Sequence, residues 1–135
     1  MTVEDVSKEF GYHKTYLSAS KVNCPERYKF ILSLGNGESE AAQIRSGMLK
    51  YYDLYRLAQE AFLERVYERE ERGITLNETG RFLRDKGHYK HENMIYTDVR
   101  LCSQLPADLD KPWKFMVYSR YLKLLKLEEE LKDDS

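Results

Sequence analysis

The chain has 135 residues, 41% of them apolar and 33% charged, and a formal net charge of −1. That length suits one domain with a buried core, and the near-neutral balance excludes a nucleic-acid binder that works by bulk positive charge. Seven Gly and three Pro argue against a turn-rich β architecture. No apolar run approaches the roughly 18 residues of a bilayer span, and no charged-then-apolar leader is present, so a cytoplasmic protein without a membrane partner is expected.

In chain order, Thr2 is placed to cap a first helix, with Asp5 as the reciprocal acid. Val6 and Phe10 form its apolar face and Gly11 stops it. A second helix is predicted over about residues 14–21, with Tyr12, Tyr16, Leu17 and Val22 as the apolar residues around it. Pro25 suits the first turn of a third helix, which buries Tyr28, Ile31 and Leu32 and ends at Gly35-Asn36-Gly37.

Ser39 then opens a long helix that runs to about Arg72. Ile44, Met48, Tyr51, Tyr55, Ala58 and Phe62 step by four, three, four, three and four, which is a heptad-like seam. Leu54, Leu57, Ala61 and Val66 widen it, and Gly47 is a point where the helix can bend. So wide a seam needs a large partner surface. Either the last helix or a second copy supplies it, and a homodimer through these six residues is the expectation.

Thr75 caps a further helix to about Asp85, a helix follows over about residues 93–104, and Pro112 starts the last one. In that last helix Trp113, Val117, Tyr121 and Leu124 form a stripe flanked by Met116, Leu127 and Leu131. No clean alternation of polar and apolar residues marks a strand. The fold class is therefore all-α, with about seven helices. Residues 1–35 form a compact unit, and residues 36–135 form a helical core and oligomerisation region continuous with it.

The segment VEDVSKEFGYHKTYLS carries the chemistry of most interest. Val6, Phe10, Tyr12 and Leu17 fill apolar slots, Ser7 is small, and Gly11 permits the positive backbone angle of a sharp turn. This pattern resembles helix-turn-helix DNA-binding proteins. The following CPERYKFILSLGNGESEAAQI is similar to the continuation of that unit in ParB-type partition proteins and in Cro and repressor-type domains. One late position of the reading helix, usually apolar, holds Ser20 here.

The resemblance implies sequence-specific binding of double-stranded DNA by occupancy. His13, Thr15 and Ser18 would discriminate bases, and Lys14 and Lys21 would anchor phosphates, with Arg27 and Lys29 adding backbone contacts. Transcriptional repression, or replication or partition of a mobile element, is the implied setting. Arg81, Arg84, Lys86 and Lys90, interleaved with His88, Tyr89 and His91, form a second basic segment. The alternative is a helical protein-interaction module of adaptor or inhibitor type, acting through tyrosine-rich faces, and the near-neutral charge favours it.

Other chemistry has little in the sequence to carry it. Cys24 and Cys102 lie 78 positions apart, neither a disulfide framework nor a zinc spacing. His88, His91 and Glu92 lack a third ligand at a recognisable interval. No phosphate-binding glycine loop or nucleophile elbow occurs. No enzyme activity, metal, cofactor or small-molecule ligand is expected. Segments beginning at Thr2 and Thr75 echo one another, each with a capping Thr and a later glycine followed by Tyr, His and Lys. Shared helix-cap grammar accounts for that likeness.

Overall fold

The computed structural model describes residues 2–11, 15–103 and 114–134, except for the side chains of residues 15–18 and Phe115. The described residues form seven helices and no strand, the all-α class that the sequence predicts. Helix α1 is Val3–Glu9, α2 is Thr15–Asn23, α3 is Pro25–Leu34, α4 is Glu40–Glu71, α5 is Leu76–Asp85, α6 is Met94–Ser103 and α7 is Phe115–Asp133. Pro112 and Trp113, expected at the start of the last helix, lie outside the described residues, as do Tyr12 and the expected helix end at Gln104.

Polar caps set the helix starts. Thr2 Oγ1 accepts the Asp5 N–H at 3.2 Å, and the Asp5 carboxylate accepts the Thr2 N–H at 3.0 Å, a reciprocal capping box. The Ser39 hydroxyl accepts the Ala42 N–H at 3.1 Å, and Thr75 accepts the Glu78 N–H at 3.2 Å. Pro25 stands in the first turn of α3, where its missing N–H costs nothing.

Two compact units share the chain, and the division falls within α4. The first comprises Met1–Tyr55 and Leu109–Tyr118. Its core gathers Val6 from α1, Tyr28 and Ile31 from α3, and Ala41, Ile44 and Met48 from α4, with Val3, Phe10 and Leu32 packed against them. Phe30 meets Tyr51 edge-on at 5.9 Å between ring centroids, and Tyr118 lies 6.1 Å from Tyr51.

Gly47 is a point of close approach between α3 and α4. A Cβ there would stand 1.9 Å from the Ile31 carbonyl oxygen. The residue expected to bend the long helix instead lies within a continuous helix and gives a neighbouring backbone room to come in.

The second unit comprises Arg56–Asp108 and Ser119–Ser135. Phe62 and Val66 of α4, Leu83 of α5, Ile95 of α6 and Leu124, Leu127 and Leu131 of α7 are buried in it. Arg65 pairs with Glu128 at 3.0 Å, and Arg69 pairs with Asp134, further along α4 and just past the end of α7. In this unit α4 and α7 therefore run in the same direction. The α5–α6 pair is antiparallel, since Tyr96 bonds Asn77 at 2.5 Å and Arg81 bonds Glu92 at 2.7 Å.

The expected oligomer interface needs correction. Ile44, Met48, Tyr51, Tyr55, Ala58 and Phe62 are all buried within the single chain, from 0% to 5% exposed. Residues already covered by their own chain offer nothing to a second copy. Two flanking residues differ as well. Leu57 was expected to widen the seam but is 59% exposed, and Met116, beside the α7 stripe, is 70% exposed.

Because the seam is core, Phe62→Ala should lower unfolding stability by about 3–5 kcal/mol. The urea midpoint of the variant should not depend on protein concentration, whereas a seam shared between copies would make it concentration-dependent. Gly47→Ala should also destabilise, by about 1–3 kcal/mol through overpacking, although alanine is the better helix former.

Candidate nucleic-acid interface

The N-terminal helices set the candidate interface from the turn outward. Val6 and Ser7 of α1 are buried, and the Ser7 hydroxyl donates to the Val3 carbonyl at 3.1 Å. A small side chain that satisfies its own hydroxyl can be buried without an unpaired donor. The Gly11 N–H donates to the Lys8 carbonyl at 3.3 Å, and Gly11 has φ +70°. Nothing lies within 4 Å of a Cβ at that position, so the backbone angle rather than space calls for glycine.

Helix α2 is set rotationally by Ser20. This residue is buried and accepts a hydrogen bond from Arg27 Nη2 of α3. The serine in a usually apolar slot is thus explained, because it receives a buried guanidinium that needs polar partners. Residues two positions away on a helix lie about 200° round the axis. Val22 accordingly points outward and is 79% exposed, not packed among the apolar residues as expected. Ala19, Lys21 and Asn23 are exposed beside it. The serine in an apolar slot was visible in the sequence and, joined to helical periodicity, would have put Val22 outside rather than among the apolar residues.

The seven predicted DNA-contacting residues divide. His13 and Lys14 lie outside the described residues, and Thr15 and Ser18 are described only in their backbone, as part of α2. Lys21 is exposed, but its ammonium lies 2.7 Å from Glu40 and 5.2 Å from the centre of the Tyr28 ring. The Tyr28 hydroxyl donates to the same Glu40 carboxylate. Lys29 is exposed. Arg27 is 2% exposed and is corrected: a guanidinium held between α2 and α3 does not reach a phosphate backbone.

The second basic segment is a surface with internal partners. Arg81 pairs with Glu92 at 2.7 Å and Arg84 with Asp85 at 3.2 Å. Lys86 stands 5.7 Å over the Phe82 ring, and Lys90 is exposed. The neighbouring His88 Nε2 lies 3.3 Å from Glu130, and His91 is exposed. Among the described residues no group of three His, Cys, Asp or Glu side chains is placed to hold a metal ion.

Behind that segment lies a buried polar group that the sequence did not reveal. The Tyr89 hydroxyl donates to Asp98 Oδ2 at 2.6 Å, and Lys123 Nζ lies 3.3 Å from the same oxygen and 4.8 Å from the centre of the Tyr89 ring. Burial, reinforced by Asp98, pushes the Tyr89 phenol well up and the Cys102 thiol up to about 12. A thiol so shifted is protonated at neutral pH and is a poor nucleophile. No helix of the described residues is long and apolar enough to cross a membrane. The chain matches no protein-family model, no curated protein and no solved structure.

The raised Tyr89 and Cys102 values fix the sign of a pH dependence. The folded state holds both groups neutral, so their contribution is complete below the ordinary values of 9.0 and 10.0 and declines as pH rises above them. Urea midpoints should therefore fall between about pH 8 and 11, and less steeply in Cys102→Ala. A slope unchanged by that substitution would count against the burial account.

Proposed function

We propose that the N-terminal three-helix unit reads double-stranded DNA, making the chain a sequence-specific DNA-binding protein that acts by occupancy. Repression of transcription, or replication or partition of a mobile element, is the setting that the helix-turn-helix resemblance suggests. The rotational setting of α2 carries this reading. With Ser7 and Ser20 buried and Gly11 in the left-handed turn, α2 presents Ala19, Lys21, Val22 and Asn23 outward.

Those residue types suit a major groove. Ala19 and Val22 offer methyl contacts to thymine, and Asn23 has the donor–acceptor pair that matches adenine. Lys21 and Lys29 would hold phosphates, which set register more than sequence choice. The Lys21–Glu40 pair is half-exposed, and such pairs are worth about 0–1 kcal/mol, so a phosphate can replace Glu40 at little cost. His13, Lys14, Thr15 and Ser18 keep the roles that the sequence suggests for them. With the seam closed inside the chain, one copy would occupy one half-site.

A second reading, a helical protein-interaction module without DNA binding, is favoured by a different surface. Tyr51, Tyr55, Tyr118 and Tyr121 are core, whereas Tyr67 is exposed and Tyr52 half-buried, so only part of the tyrosine-rich face is open to a partner. The outer side of α4 is exposed and acidic.

Anisotropy titration of labelled duplexes at two salt concentrations separates the readings. DNA binding predicts saturable affinity with a shallow log–log salt slope of about −2 to −4, as expected for a few phosphate contacts. Lys14→Ala with Lys21→Ala should weaken binding and flatten the slope. Arg27→Ala should lower stability while leaving the slope of the folded protein unchanged. Undetectable binding at low salt, or binding that survives the double lysine substitution intact, would make the DNA reading wrong.

A further inference from the structure

Helix α4 has an outer stripe as regular as its buried seam. Leu57, Glu60, Glu64, Tyr67 and Glu71 follow one another by three, four, three and four residues, and all five are exposed. Leu57 is 59% and Tyr67 49% exposed. With Leu63 and Glu68, the C-terminal part of this stripe forms one open face of α4.

The nearby cations leave the stripe negative. Residues 60–72 contain five glutamates against three arginines, of which Arg72 is exposed beside Glu71. Arg65 lies between Glu68 and Glu128, at 3.2 and 3.0 Å, and Arg69 is buried against Thr79 and Asp134. Arg56 reaches Glu60 only at 3.8 Å. Glu64 and Glu71 have no ion pair among the described residues. Glu60, Glu64 and Glu68 stand four apart, and like charges at that spacing repel along a helix. The stripe therefore sets apolar anchors beside two carboxylates, Glu64 and Glu71, that have no ion pair among the described residues.

We propose that this stripe docks a basic amphipathic helix of another protein alongside α4, by side-by-side helix packing. Leu57, Leu63 and Tyr67 take its apolar side chains, and Glu64 and Glu71 take its lysines or arginines. The sign of the charge selects this occupant, since nucleic acid and anionic lipid surfaces are repelled. Helix α5 of a second copy is no such occupant, since Arg81 and Arg84 are balanced by Glu78 and Asp85 and both already have acidic partners; association through any other face of a second copy is an outcome of the test. The proposal stands independently of DNA reading, which uses residues of the first unit.

The probe is a synthetic amphipathic helix of Leu and Lys, labelled and titrated with the full chain, beside a control peptide with Glu at every Lys position. The expected result is saturable binding of the Lys peptide and none of the Glu peptide, weakened by salt. Glu64→Lys with Glu71→Lys should reduce affinity at least about tenfold, as should Tyr67→Ala, with circular dichroism unchanged. No saturable binding at low salt, equal binding of both peptides, or equal affinity for the charge-reversed variant overturns the proposal. Sedimentation showing wild type self-associated and the charge-reversed variant monomeric also overturns it, because the occupant would then be a second copy.

Discussion

The apolar row along α4, from Ala41 through Ile44, Met48, Tyr51, Tyr55, Ala58 and Phe62 to Val66, must be kept from water. A long helix is held mainly by the cover on its apolar face, not by propensity. In the first unit the cover comes from Val6, Tyr28, Ile31 and Tyr118, and in the second the buried leucines of α7 join it with Leu83 and Ile95. Several local features serve that cover. Gly47 admits the Ile31 carbonyl, and the caps at Thr2, Ser39 and Thr75 fix where helices begin. Covering the row within one chain also removes it as an interface.

Cations within the structure change what the charge balance means. Arg27 and Arg69 are buried; the Ser20 hydroxyl receives the first, and the Thr79 hydroxyl and Asp134 receive the second, since an unpaired buried charge is prohibitively unfavourable. Arg69 also stacks 5.0 Å from the centre of the Phe82 ring. Counted from the sequence they offset nearby glutamates, yet they leave the accessible surface to those glutamates. A net charge of −1 therefore contains a distinctly acidic side on the second half of α4.

These two consequences bear on function together. The N-terminal unit offers an outer α2 face that is small, partly apolar and only modestly cationic, which under the proposed function would suit contact with base edges more than strong phosphate attraction. The acidic stripe on α4 belongs to the second unit and suits a partner of opposite charge. One chain would then join a nucleic-acid contact to a protein contact. That combination accommodates a near-neutral balance in a DNA-binding protein, because affinity would not rest on bulk charge.

The sequence by itself determined the all-α class, the helix starts at capping Thr and Ser residues, the stop at Gly11 and the heptad spacing of the α4 row. Each of these depends on residues within a few positions of one another, so local rules suffice. It also held the clue to Val22, since a serine in an apolar slot fixes which way α2 turns. It did not reveal the buried Tyr89–Asp98–Lys123 group, because those residues are separated along the chain and look like ordinary surface types. Nor could it decide whether the row faced α7 or another copy, or that Arg27 was interior and Leu57 exterior. Periodicity states that a face must be covered, but only tertiary packing supplies the covering residues, and with them the partner of each charge.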